Sequence, residues 1–128
     1  MYTQVLLGLL LMSSNLAGEE FVHRGKAVSQ WLREMESRDE DVRAEAVRAV
    51  GALAGTCRQH LIPLDKLARA TRDGVCPIRE TALYALADMG PQARGALGAV
   101  RERLNDPESQ VRISAFAALA RIAAPEES

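Results

Sequence analysis

The sequence predicts an all-α chain: a right-handed solenoid of three stacked helix pairs. An internal repeat carries most of this reading. The windows SRDEDVR at residues 37–43, DGVCPIR at 73–79 and DPESQVR at 106–112 align on one another, 36 and 33 residues apart. Self-similarity at such periods marks an array of supersecondary units, each burying its apolar face on its neighbours. A second observation is periodicity. Each window leads into an Ala-rich segment with aligned apolar columns: Val42/Ile78/Val111, Ala46/Ala82/Ala115, Val47/Leu83/Phe116, Val50/Leu86/Leu119 and Leu53/Met89/Ile122. Within one unit these positions form a single helical stripe, where a strand would alternate. Length is the third: 128 residues hold one domain at most.

The elements follow in order. Residues 1–17 predict a secretory signal peptide cleaved after Ala17: an apolar run at residues 5–12 (VLLGLLLM) precedes the small and polar SSNLAG. The run is too short for a membrane span, which needs about 20 residues. No Lys or Arg precedes Val5, and the competing reading is an apolar helix that caps the array. Charge is absent before Glu19 and dense after it, as at a processing boundary. Residues 18–26 are expected to be an extended lead. The repeat domain spans 27–124, with units at about 27–56, 61–90 and 92–124, and residues 125–128 form a polar tail.

In each unit a first helix precedes the Ala-rich second one. Its weaker columns are Val28/Leu64/Leu97, Trp31/Leu67/Val100 and Met35/Thr71/Leu104; Thr71 breaks the last and predicts a looser second unit. Pro63 and Pro91 fall where the first helices of units two and three should begin, and Pro77 in the first turn of a second helix; proline is tolerated in a first turn. Gly55 and Gly90 follow second helices, where a left-handed cap is expected. Asp73 and Asp106 are candidate turn or N-cap acceptors. The columns Gly51/Ala87/Ala120 and Ala49/Ala85/Ala118 are small throughout and allow close helix approach.

The order Asp, then Val/Ile-Arg, then Ala-rich helix resembles HEAT-like repeats of the phycobilisome-lyase-like subtype, an armadillo-type architecture. The run ALADMGPQA at 85–93 is similar to that subtype's junction between repeats. The resemblance covers about residues 27–124. It implies a ladder between neighbouring repeats made by the aspartate and the arginine six positions later: Asp73 with Arg79 and Asp106 with Arg112. Arg43 belongs to the same set, but Ser37 stands where its acid would be. Residues 21–32 resemble the entry into such arrays in exported bacterial proteins. The resemblance also implies that the second helices line a concave face, and it admits a bilin lyase-type enzyme or its accessory subunit.

Composition excludes several classes. With 16 basic and 17 acidic residues the chain has no field favouring nucleic acid or an anionic membrane. Its aromatics are Trp31, Tyr2, Tyr84, Phe21 and Phe116, too few for base-stacking platforms in a basic groove. No glycine-rich phosphate loop, Gly-x-Ser-x-Gly or His-Glu-x-x-His occurs, and no His-Glu dipeptide. Cys57 and His60 are too few for zinc, which takes three or four ligands. A Cys57–Cys76 disulfide is opposed by the intervening helix at about residues 62–72, which spans about 16 Å, against about 4.4–6.8 Å between bridged Cα atoms. No catalytic, cofactor or metal residues are therefore assigned. The acidic residues between 34 and 41 read as a solvated turn.

Off-stripe positions of the second helices form further columns: Glu45/Thr81/Ser114, Arg48/Tyr84/Ala117 and Ala52/Asp88/Arg121. Arg48, Tyr84, Asp88 and Arg121 are the candidate partner-binding face, since Tyr and Arg dominate interface hot spots. The function expected from the sequence is a non-enzymatic scaffold with a protein partner, periplasmic or secreted, or cytoplasmic if residues 1–17 are retained. A homo-oligomer joined through open repeat ends is the further alternative to the lyase.

Overall fold

The computed structural model describes residues 21–125. The signal peptide expected at residues 1–17 and the last tail residues fall outside them. Among the described residues six α-helices form three pairs: α1 (Val28–Glu34) with α2 (Glu40–Ala54), α3 (Leu64–Ala70) with α4 (Cys76–Met89), and α5 (Leu97–Glu102) with α6 (Ser109–Ile122). The long second helices pack in a row, α2 on α4 and α4 on α6, with the short first helices behind them. The result is an all-α solenoid around one continuous apolar core from Val28 to Ile122.

The second helices start where the sequence places their turns. Asp39 caps α2, its carboxylate accepting from the Asp41 N–H at 2.8 Å, and Glu40 and Asp41 suit the positive end of the helix dipole. Asp73 and Asp106 close the later turns by accepting from the Val75 and Glu108 N–H groups, both at 3.0 Å. Helices α2 and α4 come close at Gly51, where a Cβ would lie 3.4 Å from the Cβ of Ala85.

Several expectations are corrected. The extended lead is a small antiparallel hairpin: β1 (Val22–His23) pairs with β2 (Lys26–Ala27). Its two loop residues, Arg24 and Gly25, have φ of 52° and 81°, the sign that a two-residue hairpin loop requires. The indole N–H of Trp31 donates to the His23 carbonyl at 2.6 Å and fastens the hairpin to α1. Gly90 has a positive φ of 60°, but Gly55 does not, at −90°. At Gly55 the turn is closed instead by Thr56, whose hydroxyl donates to the Leu53 carbonyl. Unit three does not begin with an α-helix at Pro91. Residues 90–96 wind as a 3-10 helix, and the α-helix starts only at Leu97. Gly95 lets this segment approach Leu64, whose Cδ2 lies 2.9 Å from where a Cβ would be.

The looseness expected at Thr71 is absent: the residue is fully buried and its hydroxyl donates to the Ala68 carbonyl. Phe116, assigned to the core stripe, is 69% exposed, whereas its column mates Val47 and Leu83 are fully buried. Both mates lie on helices that pack against a following second helix; among the described residues no second helix follows α6. Ser114, assigned to the outer face, is buried, since α6 lies on α4 through small side chains, Ser114, Ala115 and Ala118.

Candidate functional site

The ladder is the most ordered polar feature, and its pairing is shifted by one unit from the expected one. Arg43 reaches forward to Asp73, with Nε–Oδ2 at 2.8 Å and Nη2–Oδ1 at 3.2 Å. Arg79 does the same to Asp106, at 2.9 and 3.0 Å. Both are forked two-bond pairs, the strong geometry for guanidinium and carboxylate. Each arginine also donates to the main chain six residues earlier: Arg43 to the Ser37 carbonyl, Arg79 to that of Asp73 and Arg112 to that of Asp106. The Asp73–Arg79 and Asp106–Arg112 links therefore run through a carbonyl and not the carboxylate. Ser37 does not break the rung of Arg43, because the acid of that rung belongs to unit two. Arg112 has no carboxylate partner among the described residues.

Asp106 is fully enclosed, and it also accepts from Arg103 at 2.9 Å. Burial works against its charge. The Glu108 N–H and the guanidinium groups of Arg79 and Arg103 outweigh that and hold its carboxyl below the usual carboxylate range. A depressed folded-state pKa contributes stability above the unfolded value, about 3.9, and that contribution fades as pH falls through the folded value. We expect the melting temperature to drop below about pH 4, and the gap between wild type and Asp106→Asn to narrow there. Thermal melts of both proteins across acidic pH check this; a constant gap would contradict it.

The four candidate face residues are exposed on the second helices. Tyr84 is 49% exposed at the middle of the row, its hydroxyl donating to the Glu80 carboxylate. Arg48 on α2 pairs with Glu45 at 3.2 Å, and Arg121 on α6 reaches back to Asp88 on α4 at 3.5 Å. The structure thus brings Asp88 and Arg121 together and leaves Arg48 with its own helix. All four ion-pair side chains are at least half exposed. Such pairs are worth about 0–1 kcal/mol, so a partner can exchange them at little cost.

The first-helix side is knitted differently. Glu36 accepts from Lys66 at 3.1 Å and Arg69 at 2.6 Å, and Arg72 forks onto Glu102 at 3.0 and 2.9 Å. Sequence reasoning missed these pairs. The signal was present, since the partners are 30 or 33 residues apart, a few residues short of one repeat period. A depression of about 190 Å³ lies between Met35, Glu36, Lys66, Arg69, Ala70 and Asp73. Cys57 and Cys76 are free thiols, and the His60 ring nitrogen Nδ1 donates to the Cys57 carbonyl at 2.9 Å. Among the described residues no three His, Cys, Asp or Glu side chains converge to hold a metal ion, and no helix is long and apolar enough to cross a membrane.

Residues 96–124, which hold α5 and α6, match the HEAT repeat model. The chain has the HEAT/armadillo-type fold. Its helix pairs superpose on a designed armadillo repeat protein in complex with the peptide (KR)4, with a TM-score of 0.67 and 22% identity over 75% of this chain and 46% of that one. They also superpose on an engineered protein, with a TM-score of 0.64 and 20% identity over 74% of this chain and 44% of the other. The chain thus spans less than half the length of either structure. No curated protein matches it. At these identities the likeness concerns the HEAT/armadillo fold alone.

Proposed function

We propose that this HEAT/armadillo-type chain is a non-enzymatic scaffold whose second-helix face holds a protein partner, by way of an extended or helical segment. The observation that carries the reading is Tyr84: a half-exposed aromatic on the middle second helix, with Arg48 and Arg121 on the helices to either side. A tyrosine supplies a large contact area at low entropic cost, and its hydroxyl satisfies a polar partner. The (KR)4 peptide held by the designed armadillo protein supports a peptide-type ligand for this architecture. This face carries both signs of charge, through Arg48, Arg121, Glu45 and Asp88, which favours a segment of mixed charge over a purely basic one. An exported setting is part of the proposal and rests on the apolar run at residues 5–12.

The test is selection from a random peptide library against wild type and Tyr84→Ala. Wild type should enrich a defined set of peptides. Tyr84→Ala should lose that set while its melting temperature stays within a few degrees, because exposed positions change stability by about 0.5 kcal/mol or less. Equal enrichment by both proteins would remove Tyr84 from the face. A melted Tyr84→Ala would make it a core residue.

A further inference from the structure

The two ends of the row each show one half of the joint that binds its units together. In the column Val47/Leu83/Phe116 the first two members are fully buried by the following unit, and only Phe116 is bare, at 69% exposure. In the column Val42/Ile78/Val111 the last two are fully buried and only Val42, in the first unit, is partly open. Ile113 extends the bare surface of α6, at 63% exposure. Val42 lies in a groove of about 220 Å³ with Lys26, Glu34, Asp41 and Glu45.

Register relates the two surfaces. Gly51 of α2 faces Ala85 of α4, so a residue one turn earlier, such as Val47, falls over the columns of Ile78 and Ala82. Carried on by one unit, the same step places Phe116 over the columns of Val42 and Ala46, beside Glu45. Charge agrees with register. Arg43 and Arg79 each fork onto an aspartate in the next unit's turn, whereas among the described residues Arg112 holds only a main-chain carbonyl. In the first unit the matching turn carries Ser37 and Arg38, with Asp39, Glu40 and Asp41 after them, while Glu36 is already held by Lys66 and Arg69. A guanidinium without a carboxylate at one end thus answers an acidic turn at the other.

We propose that a second copy of this chain occupies the bare face of α6, docking head to tail. Phe116 enters the Val42 groove of the next copy, and Arg112 meets the acidic turn at residues 36–41. The contact uses the ends of the row and is independent of the peptide-binding reading of Tyr84. It is heterologous and does not close on itself, so assembly continues beyond two copies. Its charged part is screened by salt.

Light scattering on the full chain tests this. The mass should climb with concentration past that of a dimer, and less steeply at high salt. Phe116→Glu disables the tail and Val42→Arg the head. Each alone should stay monomeric, and their mixture should form a pair with one copy of each. Far-UV circular dichroism and melting temperature should match wild type for both; if Val42→Arg does not fold, Glu45→Arg, at an exposed position, replaces it as the head variant. A wild type that is monomeric at every concentration overturns the proposal. So does a head variant that dimerises alone, which would mean that two α6 faces meet.

Discussion

Replacing Asp106 with alanine should destabilise the protein by about 3–5 kcal/mol, the cost of stranding a buried charge by removing its partner. The setting is unfavourable in every respect. The Asp106 side chain has no exposure and that of Arg79 only 9%, so solvent cannot take over the lost bonds. The Glu108 N–H loses its acceptor, and Arg103 loses its ion pair within the turn. The damage therefore spans the joint between units two and three and the turn that starts α6. Urea denaturation should show a lower midpoint with little change in slope, the signature of lost stability without a change in the surface exposed on unfolding. Adding Arg79→Ala should cost less than its effect in wild type, because the pair acts as a unit. Strict additivity would mean that the rung contributes little.

Leu83→Ala should cost about 2–5 kcal/mol, the range for large-to-small changes in a packed core. Leu83 sits at the centre of α4, fully buried, on the helix that packs against both α2 and α6. The helices flanking it are held by their own ladder rungs, so the cavity has little room to collapse. The same column supplies an internal control. Phe116→Ala removes a larger side chain, yet at 69% exposure it should leave the monomer's melting temperature nearly unchanged. Comparable losses for the two variants would contradict the assignment of α6 as the bare face.

Much of this fold is legible in the sequence because a repeat writes its own alignment. The buried columns through Ala46, Val50 and Leu53 and their counterparts follow from spacing alone, and so do the turns at Asp73 and Asp106. What escaped is whatever depends on a neighbour. Phe116 carries the hydrophobicity of a core position, and only the stacking order shows that nothing described lies over it. Ser114 has the polarity of a surface position and is buried because the joint there is built of small side chains. The ladder residues were identifiable, but their pairing was not: the resemblance implied Asp73 with Arg79 and Asp106 with Arg112, and each carboxylate is instead taken by the arginine of the preceding unit. The candidate face was legible as a set of exposed positions. That Arg121 pairs with Asp88 while Arg48 stays on its own helix depends on side-chain reach, which a linear pattern does not encode. The hairpin at Val22–Ala27 went unseen because its loop is Arg24-Gly25, without the Asn-Gly or Asp-Gly pair that usually marks such a loop.

The aspartates of the ladder hold a double office. One oxygen of Asp73 closes the turn of its own unit through Val75, while the carboxylate receives the fork of Arg43 from the unit before, and Asp106 repeats the arrangement with Glu108 and Arg79. A turn that opens releases its acceptor, and the preceding arginine then loses its hold. In repeat proteins the energy of a unit and the energy of its interface are commonly treated as separate quantities. Here the same atoms belong to both, so local order and docking rise and fall together. Three short units, none able to bury its own apolar face, are thereby bound into a single cooperative body.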